Sequence, residues 1–199
     1  MKNKQIVTTI STIGLTLFLS SCAYTTAVSS GASAVYDRHN IQKGISDQLT
    51  SIRTYGNIYV THKDDYKDTH ISVATFNNVL LITGQVSDPN QKIGIDKLAK
   101  EESDANEIYN FTTIEKPTSV LTRMSDSWIT AKIKTQLIAI NDVDPTQIKV
   151  VTENGVVYLM GIVPPTQANI AVEVARTTTG VQQVVKIFSY LHVSKNPMA

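Results

Sequence analysis

Two stretches of the chain alternate apolar and polar residues in the same way. Ile71 to Val86, ISVATFNNVLLITGQV, lies without gaps over Ile148 to Val163, IKVVTENGVVYLMGIV. Successive side chains on a strand point to opposite faces, so each stretch predicts a strand, a polar turn and a second strand. Asn154-Gly155 supplies residues that tolerate positive φ in a two-residue hairpin, and Asn77-Asn78 offers a weaker version of the same turn. A helix is predicted after each hairpin. In the first copy Asp88 is the N-cap and Pro89 the first helical residue, with Ile95, Leu98 and Ala99 facing inward. In the second, Pro164-Pro165 opens the helix, Gly180 stops it, and Ile170, Ala171 and Val174 pack inward. Closing strands follow at Asn106 to Ile114 and Val181 to Val193.

An amphipathic segment also precedes each hairpin, roughly Ser46 to Val60 and Ser125 to Ile138. The predicted order is α-β-β-α-β, twice, an α+β fold with a three-stranded mixed sheet in each copy. One face of such a sheet is buried under the helices. The other needs water, the sister unit or a ligand.

The N-terminus follows a different pattern. Lys2 and Lys4 precede an apolar run from Ile6 to Leu19, and then comes Leu19-Ser20-Ser21-Cys22. A run this short, ending in small residues, predicts a secretory signal rather than a membrane span. The ending resembles the bacterial lipobox, whose cysteine receives lipid and becomes the first residue of the mature protein. Cys22 is the only cysteine in the chain, so no disulfide within it competes for the thiol. Ala23 follows, not the aspartate of an inner-membrane retention signal, which points to the outer membrane. The expected organisation is a signal peptide over 1–21, a small, polar lipidated tether over 22–43, one unit over 44–114, a linker with Pro117 over 115–124, and a second unit over 125–194.

Charge narrows the partners. The 18 Lys and Arg fall to 16 when Lys2 and Lys4 leave, against 17 Asp and Glu, a formal −1. Such a chain is no polycation, and nucleic acid is excluded as a natural partner. Attraction to an acidic surface would have to come from a local patch.

The duplicated unit behind a lipobox resembles the BON (bacterial OsmY and nodulation) domain, and in particular the dual-BON outer-membrane lipoproteins associated with division and outer-membrane stress. The second copy carries the resemblance most fully, in SDSWITAKIKTQL, KVVTENGVVYLMGIV and GVQQVVKIF, while Gly84 and Gly161 match the glycine ending the second strand. The first copy is looser in its first helix, where SDQLTSIRTYGNIYVTHKDDYKDTH includes Gly56. The resemblance implies a non-enzymatic, periplasm-facing protein of the outer membrane that binds anionic, phosphatidylglycerol-like phospholipid through its second domain. It also implies a part in envelope integrity, localisation to the division site, and relations to the β-barrel assembly machinery and peptidoglycan amidase regulation. The alternative reading is a protein-interaction adaptor for that machinery or those regulators, gripping it by the open sheet face or the same helix.

The helix of the second copy contains Trp128, the lone tryptophan. At 3.6 residues per turn, Ile129, Ile133 and Leu137 form one stripe, the core face, with Ser125 or Asp126 as the expected cap. Left over on the outer side are Trp128, Ala131, Lys132, Thr135 and Ile138, with Lys134 near its opposite margin. A ring with an N–H, an isoleucine, small residues and lysines with snorkelling stems suits a lipid headgroup region. The competing expectation is that the ring folds against an edge of its own unit or against the first one.

No catalytic pattern accompanies these features. His39, His62, His70 and His192 lack ligand spacing, and HKDDYKD (62–68) lacks the glycine and terminal glutamate of a calcium loop. No phosphate loop or nucleophile elbow occurs, and Asp142 and Asp144 are expected to form a turn. No enzyme and no cofactor is expected.

Overall fold

In the computed structural model, which describes residues 32–190, both hairpins form where the alternation places them. The first unit runs α1 (Ala32–Gly56), a π-helical segment (Asn57–Thr61), a single turn α2 (Lys63–Tyr66), β1 (His70–Phe76), β2 (Val79–Val86), α3 (Pro89–Glu102), then β3 (Glu107–Asn110) and β4 (Thr113–Ile114). The second runs α4 (Val120–Ile138), a 3₁₀ turn (Pro145–Gln147), β5 (Ile148–Glu153), β6 (Val156–Val163), α5 (Pro165–Thr177) and β7 (Gln183–Tyr190). Cys22, the expected signal peptide, His192 and the predicted end of the last strand lie outside the described residues.

Each sheet is mixed. An antiparallel hairpin is extended by a parallel closing strand on β2 or β6. In the first unit that closing strand is broken into β3 and β4, both paired with β2. Asn110 causes the break: its Oδ1 accepts from the Thr112 amide and hydroxyl, while its Nδ2 donates to Asp96 and the Lys92 carbonyl. Asn77, Asn78 and Asn154 all take positive φ, as the predicted turns require. The repeated glycines have a steric cause, since a Cβ at Gly84 or Gly161 would run into the His70 or Gln147 carbonyl.

Asp88 caps α3 through the amides of Asn90 and Gln91, and Pro89 opens it. Two helix starts differ from expectation. α1 is already helical at Ala32, the first described residue, inside the stretch read as tether, and α4 begins at Val120, with Ser119 rather than Ser125 or Asp126 accepting from the Thr122 amide. Asp126 is drawn away by another task, described below.

Helices cover one face of each sheet. Ile129, Ile133 and Leu137 meet Val157, Leu159 and the alanines of α5 in the second unit. Ile58, Leu80, Ile82, Ile95 and Ala99 form the counterpart in the first. The remaining sheet faces cover one another. Leu81 of β2 is buried with Tyr158 and Met160 of β6 and Ile187 of β7, flanked by Phe76, Tyr109, Phe111, Val151 and Val185. Phe111 and Tyr158 meet across this seam with ring centres 5.3 Å apart. Of the three occupants open to that face, it takes the sister unit, and the face is closed to a protein partner.

Polar groups latch one end of the seam. Gln85 donates to Glu153 Oε1 at 2.9 Å and accepts from the Thr118 amide at 3.1 Å, tying the inter-unit connection to both sheets. His70 Nδ1 lies 3.1 Å from the Arg123 guanidinium. Arginine can only donate, so the ring proton of neutral His70 sits on Nε2, facing Glu153 Oε2 at 3.7 Å. Burial raises the Glu153 carboxyl above its ordinary range; the Gln85 bond, His70 and Arg123 oppose this, and Asp126 adds to it.

Two outcomes follow from this seam. Leu81→Ala, at a position with no exposed surface, lowers unfolding stability by about 3 kcal/mol in urea titration. Because the sheets share a core, unfolding stays a single transition. Glu153 binds its proton more tightly folded than unfolded, so its ionised form costs stability at high pH, and that cost vanishes below the carboxylate range. Glu153→Gln therefore raises Tm by about 2 °C at pH 8 and leaves it unchanged at pH 4. A fall in Tm at pH 8 would contradict this account.

Candidate functional site

The orientation of α4 is set by one buried carboxylate. Asp126, 5 % exposed, accepts from the Asn154 amide at 2.8 Å and the Gly155 amide at 2.9 Å, capping the β5–β6 turn from the side. Thr130 adds a 2.7 Å bond to Thr152 of β5. Residues two apart on a helix lie on nearly opposite sides. Fixing Asp126 inward thus turns Trp128 outward.

Trp128 is 55 % exposed and Ile138 69 % exposed. Ala131, Lys134 and Thr135 are also exposed, and Lys132 is half-buried. The predicted residues thus share the outer side of one helix, and the expectation that the ring packs into its own unit or the first one is not met. Lys132 Nζ stands 4.8 Å from the centre of the Trp128 ring, a cation–π contact. The Thr135 hydroxyl bonds back to the Ala131 carbonyl at 2.9 Å, which satisfies it within the helix. Lys134 lies to one side, lining a cleft of about 240 Å³ with Ile138, Pro145 and Lys149. Burial, aided by Lys134, lowers the Lys149 ammonium, against the pull of Asp47.

The stripe is longer than the sequence suggested. Val120, Leu121 and Met124 are 63, 78 and 63 % exposed, and helical spacing sets Leu121 and Met124 in line with Trp128. They were missed because Ser125-Asp126 resembles a helix start. The same Ser-Asp pair at Ser46-Asp47 was the available signal, because Asp47 bonds the Asn77 and Asn78 amides as Asp126 does those of its own turn.

A second feature is a cleft of about 600 Å³ between edge strands β1 and β5, bordered by Tyr55 of α1 and by Arg123, Ser127 and Thr130 of α4. Among the described residues no group of three His, Cys, Asp or Glu side chains could hold a metal ion. None of the described helices is long and apolar enough to cross a membrane.

Two α-β-β-α-β units sharing a core define a tandem α+β module, and one of its helices displays an apolar and basic stripe. The BON domain family model matches residues 60–116 and again 125–191. The chain belongs to the BON-domain family, in which it carries two copies.

Among relatives, it is 30 % identical over 184 residues to the outer membrane lipoprotein DolP of Haemophilus influenzae, covering 90 % of this chain and 93 % of that one. It is 37 % identical over 125 residues to a 21 kDa hemolysin of Actinobacillus pleuropneumoniae, covering 63 % of this chain and 64 % of that protein's length. Among solved structures, the C-terminal domain of CdsD, a type III secretion structural protein of Chlamydia trachomatis, matches at 14 % identity and a TM-score of 0.29, over 71 % of this chain and 66 % of that one. A likeness that distant fixes neither fold nor function.

Asp126→Ala strands two turn amides, one of them buried, and is expected to cost about 2–3 kcal/mol. Hydrogen exchange at Asn154 and Gly155 should accelerate beyond the global change.

Proposed function

We propose that this protein is a non-enzymatic outer-membrane lipoprotein, anchored through Cys22 and facing the periplasm, which binds anionic phospholipid through the outer face of α4. The observation that carries the reading is the exposed run Leu121, Met124, Trp128, Ala131, Thr135 and Ile138 beside Lys132 and Lys134. The likeness to an outer membrane lipoprotein over nine-tenths of the chain supports the anchor and the compartment.

The physics suits reversible contact. An indole has an apolar body and one N–H donor, and is at home where acyl chains meet headgroups. In water Lys132 sits on the ring; at a surface its stem can follow the helix while the ammonium reaches phosphate. Each lysine near an anionic leaflet contributes about 1 kcal/mol. One helix face binds weakly, but a lipid at Cys22 holds the protein at the membrane, so weak recognition is enough to bias which lipids it sits among. Support for envelope integrity, and a place at the division site, would follow from that bias.

The adaptor alternative has lost the sheet face, which the sister sheet covers. Of the two surfaces that alternative could use, a partner from the β-barrel assembly machinery or amidase regulation is left with the helix.

Trp128→Glu is expected to abolish co-sedimentation with phosphatidylglycerol vesicles while leaving the Tm within about 1 °C, since the residue is exposed. Binding by the parent should fall as salt rises. Normal vesicle binding by the variant would sink the reading, and indifference of the parent to lipid, with retained capture of an envelope protein, would favour the adaptor.

A further inference from the structure

In α1 the usual distribution of polarity is inverted. The residues it turns inward are Asp47, Thr50, Ser51 and Thr54, exposed by 6, 8, 9 and 0 %. The residues it turns outward include Ile45, Leu49 and Ile52, exposed by 57, 47 and 56 %. The first unit recovers an aliphatic contact only at Ile58, beyond the end of the helix. Ser51 reaches Thr75 at 2.9 Å, as Thr130 reaches Thr152, but the Thr54 hydroxyl is buried with no partner. A helix that only had to cover its sheet would have these faces exchanged.

The carboxylate clamps give the two first helices a common register. Asp47 and Asp126 make the same pair of bonds to their turns, so Leu49 stands where Trp128 stands, Ile45 where Met124 stands and Ile52 where Ala131 stands. The inward positions of Ile129 and Ile133 are taken by Thr50 and Thr54. Apolar character has moved from the core side to the display side.

We infer that α1 is a second membrane-contacting face, in which Ile45, Leu49 and Ile52 enter an anionic bilayer surface alongside the α4 stripe. This rests on the reading that Cys22 is lipidated and that the protein works at a membrane. Three observations select a bilayer as the occupant. Ala32 is ten residues beyond Cys22, a chain span of at most about 35 Å, and the stripe begins only about 20 Å further along the helix. Between residues 42 and 56 no carboxylate is exposed, while Arg53 flanks the stripe, and among the described residues its one ion pair is with the exposed Asp104 at 4.0 Å. Tyr55 of α1 and Arg123, Ser127 and Thr130 of α4 border one cleft, so both helices flank the same edge of the molecule.

The test uses the whole chain from residue 22, carrying Cys22→Ser. Leu49→Cys then offers a single thiol for a polarity-sensitive fluorophore, and Lys100→Cys on α3 serves as the control. Trp128 emission, from the only tryptophan, reports on α4 in the same sample. With phosphatidylglycerol/phosphatidylethanolamine vesicles, the label at 49 should shift to the blue and that at 100 should not. The unlabelled variant Leu49→Glu/Ile52→Glu should bind those vesicles about tenfold more weakly than the parent.

If Trp128 responds and the label at 49 does not, α1 is no membrane face and the inference falls, while the α4 reading stands. If the label at 49 responds and Trp128 does not, the reverse holds. A blue shift without vesicles that grows with protein concentration means that a second copy covers the stripe, and overturns the inference.

Discussion

Each unit depends on one aspartate that reaches from its first helix to the turn of its hairpin. A two-residue turn with positive φ leaves two amides pointing away from the ladder. Asp126 and Asp47 take both, with both carboxylate oxygens. Charge-assisted bonds of this kind are the stronger class, and a pair of them fixes rotation as well as position. What a helix shows to the outside is therefore decided by which residues lie opposite the aspartate. Trp128 is exposed for that reason, and so is Leu49.

The second constraint is the seam between the sheets. A three-stranded sheet with helices on one side leaves an apolar face that a small unit cannot expose without cost. Leu81, Tyr158, Met160 and Ile187 remove that face by joining the units. The seam also carries charge. Burial drives Tyr158 up to about 12, with Glu153 adding to it, so the hydroxyl stays protonated against its acidic neighbour. Sheet faces thus hold the molecule together, and recognition is left to helices, edge strands and the cleft between β1 and β5.

The hairpins, the closing strands and the helices after each hairpin were legible because their signals are local: alternation, Asn-Gly, Asp-Pro and Pro-Pro. So was the outward face of α4, because Ile129, Ile133 and Leu137 leave only one way to turn it. The start of α4 was hidden by a residue with two meanings. Asp126 has the chemistry of a cap, and only the fold shows that its carboxylate serves a turn 28 residues away. The first helix resisted for a different reason. Periodicity assigns apolar residues to the core, and in α1 that rule places Ile45, Leu49 and Ile52 inside, where the structure has Thr50, Ser51 and Thr54.

That inversion bears on how two copies of one unit come to differ. In the second unit apolar residues line both sides of the helix, so it is firmly seated and still displays a stripe. In the first, the inward side is held by hydroxyls and one carboxylate. The Ser51–Thr75 bond and the Asp47 clamp specify where α1 sits. Neither supplies the area-dependent stabilisation that aliphatic burial gives the other helix. A helix positioned by directional bonds and poor in buried area is the one whose seating responds most to what touches its outer face. Duplication has left two helices on one register, one seated by its core and one whose apolar surface awaits an external apolar phase.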